Sequence, residues 1–379
     1  MSQIKLLFCG DFIASGAYES IVMQKKENIF GDVLSLIKSS DFSFVNLETP
    51  LTSEKSYVKK PGPTLKSSLD TSKILKLFSL VGLANNHILD YGKKGLEDTL
   101  KAFKDQGVAT VGASLNLNDD EKTYITDVKG VKIGVLAITE NYNQDKEKNF
   151  GTVLMDPIEN FHQIKNLKLK SDFLIVTFHG GIHNFPYPSP TIRKMCKFYV
   201  DLGADAVVCH HPHVPGAYEF YKGNPIIYSL GDLIYHHQNP NKMNNFGYIA
   251  QFHIDTDNKK LTSFSTIPYK QSIKFDGIKL LKGQEKDSFL TILDNYCKNM
   301  KNENLWLREW NSMVKEREES FILRLLMPIT FKGLGILIKY TPLLKILLNK
   351  KSLPKKLDII RSQSYREILI QIFESKIKK

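Results

Sequence analysis

Cysteine is scarce in this chain, and its spacing excludes two classes of protein. The four residues, Cys9, Cys196, Cys209 and Cys297, form no Cys-x-x-Cys pair. Cys9 and Cys209 sit inside apolar runs and read as small buried residues. A disulfide framework is therefore not expected, and a reducing compartment fits. Uninterrupted apolar stretches of 18 or more residues are missing too, so no spanning helix is expected. The first residues, Met-Ser-Gln-Ile-Lys-Leu-Leu-Phe-Cys, offer one lysine and a very short apolar run. That is too little for a secretory signal, so the expected location is cytoplasmic or peripheral to a membrane. There is no G-x-S-x-G elbow, no Walker A loop and no G-x-G-x-x-G fingerprint, which removes the usual hydrolase, P-loop and dinucleotide readings.

Positive charge is present but unevenly placed. The net charge is +12 over 379 residues. After residue 320 there are 13 Lys and Arg against 3 Asp and Glu, so the tail carries +10 and everything before it only +2. A nucleic-acid partner would need a basic motif region, and none is expected.

What the chain does have is alternation. Apolar runs at 4–9, 42–46, 80–84, 131–138, 173–178, 206–209 and 225–229 read as strands. Stretches with a 3.6-residue period, such as 95–106 and 191–202, lie between them. Strands alternating with helices predict an α/β architecture with buried sheets. Residues 248–254 and 261–267 alternate across a polar turn and predict a closing hairpin. Two parts follow: an α/β domain over 1–270 and a helical, basic extension over 271–379.

Each of six strand-like runs ends in a cluster of metal-competent or small residues. These are Gly10-Asp11, Leu47-Glu48, Asn85-Asn86-His87, His179-Gly180-Gly181, His210-His211-Pro212-His213 and Leu230-Gly231-Asp232. Ligands of α/β sheets bind beyond the carboxyl ends of the strands, so six clusters are expected to meet on one rim. Asp, Glu, Asn and His together suit Mn, Fe or Zn. One or two such ions activate water against an acidic bond.

At these residues the chain resembles a known family. Gly-Asp at 10–11, NLETPLT at 46–52, LANNHILDYGKKGLEDT at 83–99, GVATVGA at 107–113, His-Gly-Gly at 179–181, GADAVVCHHPHV at 203–214 and IIYSLGDLIY at 226–235 look like the ordered motifs of the bacterial capsule and poly-γ-glutamate synthesis (CapA-type) family. That family is similar to calcineurin-like metallophosphoesterases. The resemblance implies a metallophosphoesterase-like four-layer α/β/β/α sandwich. It implies metal ligands at Asp11, Glu48, Asn86, His179, His211 and His213, with Glu48 bridging. It implies a general-acid role for His87, with Asp90 either orienting it or capping the next helix. The glycines after His179 are expected to let the backbone approach an ion. His210 is expected behind the ligands, His183 in solvent, and His236 and His237 at the periphery. Metallophosphoesterases usually carry a histidine two residues after the first aspartate; here that residue is Ile13, so one tight site or a weaker pair of sites is expected.

Lys59, Lys60 and the turn at 62–63 form a basic loop, read either as suited to an anionic substrate or as ordinary solvated charge. Residues 321–350 mix large aliphatics with spaced lysines, which suits either a helix in a membrane interface or a helical cap on the domain. Two functions stay open. One is a metal-dependent hydrolase of a phosphoester or amide in surface-polymer metabolism. The other is a non-catalytic part of a polymer synthesis or export complex that binds the anionic polymer.

Overall fold

The structure is a computed structural model and describes residues 2–60, 62–117, 122–140, 149–237, 243–272, 277–326 and 353–377. The first half runs β1 (Gln3–Phe12), α1 (Ala17–Lys25), α2 (Leu34–Lys38), β2 (Phe42–Leu47), α3 (Thr71–Leu75), β3 (Leu80–Gly82), α4 (Gly92–Asp105), β4 (Ala109–Val111), β5 (Ala113–Ser114), β6 (Thr123–Val128), β7 (Val131–Thr139) and β8 (Gly151–Thr152). The second half runs α5 (Pro157–Lys170), β9 (Phe173–His179), α6 (Pro190–Leu202), β10 (Ala206–His210), β11 (Tyr218–Tyr221), β12 (Asn224–Ile227), β13 (Asp232–Ile234), β14 (Phe246–Asp255), β15 (Leu261–Lys270) and β16 (Lys279–Leu280). Helices close the chain: α7 (Gly283–Lys301), α8 (Glu303–Leu326), α9 (Leu353–Arg361) and α10 (Gln363–Ile377).

Two sheets form. One has the order β16-β15-β14-β1-β2-β3-β4 with β13 joined to β1; the other has the order β11-β12-β10-β9-β7-β6. The layering follows from the two-residue period of a strand. Ile4, Leu6 and Phe8 of β1 enter the core shared with the second sheet, together with Phe42, Phe44 and Leu80. Their neighbours Leu7, Cys9, Val45 and Val81 point the other way, into a core closed by Val22, Leu96 and Phe103 of α1 and α4. On the far side of the second sheet lie Ile164 and Leu167 of α5 and Cys196 and Tyr199 of α6. The result is the expected α/β/β/α sandwich. Because both strand faces are covered, the runs are continuously apolar.

The strands of the parallel pairs β1–β2, β2–β3, β7–β9 and β9–β10 end at the same rim. β1 runs three residues past the expected stretch, because β13 pairs with it in parallel at Asp11↔Asp232 and Phe12↔Ile234. That crossing leaves no room beside Gly10: a Cβ there would lie 1.9 Å from the carbonyl oxygen of Gly231. Gly10→Ala is expected to lose about 3 kcal/mol of stability, at the upper end for overpacking because the obstacle is backbone. Urea unfolding of the two proteins measures it.

The helices after Gly283 pack on the sandwich. Phe289, Leu293 and Met300 of α7, Trp306 and Trp310 of α8, Ile359 of α9 and Ile368 of α10 share the core of the second sheet. The alternative readings of 321–350 fall mostly on 327–350, outside the described residues.

Candidate metal centre

The six strand ends meet. Asp11 leaves β1 fully buried, with Oδ1 accepting from Asn46 Nδ2 at 2.7 Å and Oδ2 accepting from the His211 amide at 3.0 Å. His210 Nδ1 lies 3.0 Å from Asp11 Oδ1. Burial opposes ionisation of Asp11, yet the His210 contact and the nearby imidazoles hold its carboxyl well below the usual carboxylate range. Asn46 also reaches His179 Nδ1 at 3.1 Å, tying β1, β2 and β9 together.

Asn85 shapes the next corner. Its Nδ2 donates to Leu47 O at 2.7 Å while its Oδ1 accepts from the amides of His87 and Ile88, an Asx turn. The turn sends Asn86 Oδ1 to within 2.7 Å of His179 Nε2 and His87 into the same pocket. His211 and His213 flank Pro212 with φ of 99° and 58°. In an extended segment their side chains would diverge. These left-handed conformations instead bring the two rings to 5.6 Å, and such strain is retained only where the surroundings enforce it.

Glu48 is at the centre. It is 0% exposed, and among the described residues neither carboxylate oxygen has a hydrogen-bond partner. Around its Oε1 stand His179 Nε2 at 3.4 Å, His213 Nε2 at 3.7 Å, His211 Nδ1 at 3.9 Å and His87 Nε2 at 4.0 Å. Burial pushes the Glu48 carboxyl well above its usual range, and Asp11 and Asp232 add to that. Burial holds His179 and His211 well below the usual imidazole value. Two triads share Glu48: Glu48, His179 and His211 in one, and Asp11, Glu48 and His213 in the other. In each, the possible ligand atoms lie within 4.8 Å of one another. A buried carboxylate without donors, ringed by imidazoles, fits a divalent cation, which supplies the missing partner. Ile13 adds no ligand atom; its amide donates to Ile234 O at 2.7 Å.

Around this centre the structure overturns the solvent reading of His183 and bears on readings that had stayed open. His183 is not in solvent: its ring packs 5.0 Å from His213, and burial drives its pKa down to about 3. Asp90 does not cap α4. Its Oδ2 lies 2.8 Å from His87 Nδ1 and accepts from the Leu65 amide at 2.7 Å. Lys60 is not solvated; its side chain is 5% exposed, forms an ion pair with Asp90 and donates to Asn86 O at 3.1 Å. Burial, with the Lys60 charge beside it, lowers His87 to about 4. Gly180 is glycine for a reason other than an ion: a Cβ there would lie 2.7 Å from Glu140 Cγ, while Gly181 has φ of 119°.

Asp232 takes no ligand role in the sequence reading, but it organises one side of the pocket. Its Oδ1 is 2.7 Å from His213 Nδ1 and its Oδ2 is 2.7 Å from His237 Nε2. Although burial works against protonation, Asp232 and Glu48 push His213 up to about 10. His236 lies apart, 6.3 Å from the Tyr18 ring. The signal for Asn46 was present, since a polar residue inside the buried run at 42–47 needs a partner. Asp232 carried the same positional signal as the other strand-end residues.

The profile of the family described as "Bacterial capsule synthesis protein PGA_cap" matches residues 5–237, which contain both triads. The "PGA biosynthesis protein CapA" of Bacillus subtilis (strain 168) is 33% identical over 236 residues, 60% of this chain and 62% of that protein. The "Capsule biosynthesis protein CapA" of Bacillus anthracis is 32% identical over 246 residues, 62% of this chain and 60% of that protein. The match thus spans about three fifths of the length of these relatives. Among solved structures, a phosphatase of Mycoplasma pneumoniae shows a distant likeness, with 18% identity, a TM-score of 0.45, and coverage of 71% of this chain and 94% of its own. With the family profile covering well over half of its length, this chain belongs to the bacterial capsule synthesis protein PGA_cap family.

Proposed function

We propose that the chain is a metal-dependent hydrolase acting on an acidic substrate, a phosphoester or an amide, in the synthesis of a capsule or poly-γ-glutamate-type polymer. The observation that carries this reading is Glu48: a fully buried carboxylate without a donor, facing four imidazoles. Asp11, Glu48 and His213 would hold one ion; Glu48, His179, His211 and the Asn86 amide oxygen would hold the other. Mn, Fe or Zn suits these donors. When bound, the metal supplies Lewis acidity and lowers the pKa of water. His87 takes the proton-carrying role: Asp90 anchors its Nδ1 and leaves Nε2 toward the pocket. Lys60 balances the Asp90 charge and adds a cation beside the place where an anionic substrate would lie.

A second reading, a non-catalytic component that binds the polymer, draws on Ile13, which leaves the Asp11 triad one ligand short. Both relatives are named for capsule or PGA biosynthesis, which suits either reading. Among the described residues no helix is long and apolar enough to cross a membrane. Elemental analysis of the purified protein beside a His211→Ala, His213→Ala double variant tests the proposal. One or two equivalents of a transition metal are expected in the wild type and none in the variant, followed by turnover in a phosphodiester and amide screen. Metal without turnover favours the binding reading; no metal even after reconstitution ends the hydrolase reading.

A further inference from the structure

We infer that the C-terminal helices, which lie beyond the family match at 5–237, build part of the metal centre by fixing the loop after His179, with Glu140 and Arg317 as the positioning residues. The metal readout below rests on the function proposed above.

Residues 180–189 join β9 to α6 directly after a cluster histidine. The inner side of this loop is zipped to the strained His211-Pro212-His213 segment. The Gly180 amide donates to His210 O at 3.1 Å, and the Asn184 amide donates to Pro212 O at 2.8 Å. Asn244 Nδ2 joins both loops, at 2.8 Å from Asn184 Oδ1 and 2.9 Å from His213 O. The loop is therefore part of what enforces the left-handed conformations of His211 and His213.

The outer side of the loop is held from the C-terminal helices. Arg317 Nη2 of α8 donates to His183 O at 2.7 Å, and Trp306 Nε1 donates to Pro188 O at 3.2 Å. Asn299 Nδ2 of α7 donates to the Tyr187 hydroxyl at 3.0 Å. A further link passes through Glu140, which is 0% exposed. Its Oε2 accepts from the Gly181 amide at 3.0 Å, while its Oε1 accepts from the Ser364 amide at 3.0 Å and the Ser364 hydroxyl at 2.8 Å. Ser364 is in the first turn of α10, where unpaired amides and the helix dipole favour a carboxylate. Glu140 therefore fastens α10 to the loop across 224 residues of sequence.

The chemistry of that link supplies the test. A carboxylate offers acceptors on both sides, and donors stand on both sides. In Glu140→Gln the amide group accepts on one side and turns an N–H toward a donor on the other. Arg317→Met removes another anchor and keeps an apolar stem. In both variants, hydrogen exchange at the amides of 180–184 is expected to accelerate, and Co(II) affinity to fall about 10-fold or more, the usual consequence of losing a group that orients metal ligands. Arg317→Lys should recover part of both. Ile359→Ala, which loosens the buried face of α9 and removes none of these hydrogen bonds, serves as the stability control. At a matched loss of thermal stability it should leave the loop amides and Co(II) affinity unchanged. Unchanged loop exchange and affinity in both positioning variants, or equal losses in Ile359→Ala, overturn the inference. If the wild type binds no Co(II), the metal reading fails on its own, and loop exchange alone decides whether Glu140 and Arg317 hold the loop.

Discussion

Glu48→Gln is expected to abolish metal-dependent stabilisation while leaving the metal-free protein at least as stable as the wild type. An ordinary ion pair behaves otherwise, since removing one partner strands the other charge. Here the carboxylate is already stranded: it is 0% exposed, both oxygens lack donors, and burial keeps its pKa well raised. An unsatisfied buried polar group costs about 1–3 kcal/mol. Glutamine has nearly the same shape, resembles the protonated acid and can donate toward the surrounding imidazoles. With metal the comparison reverses. At about 100 times its dissociation constant an ion bound only to the native state adds about 2.7 kcal/mol. The wild type should gain that stabilisation, and Glu48→Gln should gain little or none. Thermal melts of chelated and metal-saturated samples of both proteins give the four values required. Equal metal-induced shifts in the two proteins would falsify the bridging role of Glu48.

Opposite pH slopes should separate the metal-free and metal-bound proteins. In the metal-free pocket His213 is raised from 6.5 to about 10, and Glu48 well above 4.5. A group whose folded pKa is raised stabilises the fold fully below its unfolded value, and that contribution is lost as pH rises through the folded value. From about pH 7 to about pH 8.5 the metal-free protein should therefore lose stability, by at most about 1.4 kcal/mol per pH unit for each such proton. His87 at about 4 and the lowered His179 and His211 oppose this slope only near pH 7, where their unfolded forms still carry part of a proton, and fade above it. Metal must displace the proton on His213 Nε2, so apparent affinity should rise over the same window by up to about tenfold per pH unit. Melts of the chelated protein and metal titrations at both pH values test the pair of slopes. A flat affinity profile would show that His213 does not hold the ion. In Glu48→Gln the stability slope should become shallower, which links this experiment to the previous one.

Local pattern was enough to place most of the architecture. The apolar runs at 4–9, 42–46, 131–138 and 173–178 became β1, β2, β7 and β9 with ends shifted by at most three residues. Their continuous hydrophobicity follows from burial on both faces. β6 escaped because it is an edge strand whose exposed and half-buried residues give no strong period. α5 begins at Asp156, whose side chain accepts from the amides of Ile158 and Glu159, with Pro157 next in sequence; this start signal was legible but unread.

At the site, residue type and place in the chain are enough to say which side chains stand at the rim. Asp11, Glu48, Asn86, His87, His179, His211 and His213 each follow an apolar run, and parallel packing brings such ends together whatever the details of the fold. Partnership was decided only by the tertiary structure. A lysine in a polar loop reads as solvated until the loop folds back and buries Lys60 against Asp90. Asp232 reads as one more polar residue at a strand end until it is found between His213 and His237. Glu140 has no local signal for its link to Ser364, 224 residues away. The physical reason is common to all three. Residue type and period are local properties of a chain, whereas hydrogen-bond partners and the dielectric around a charge depend on which distant segments pack against it.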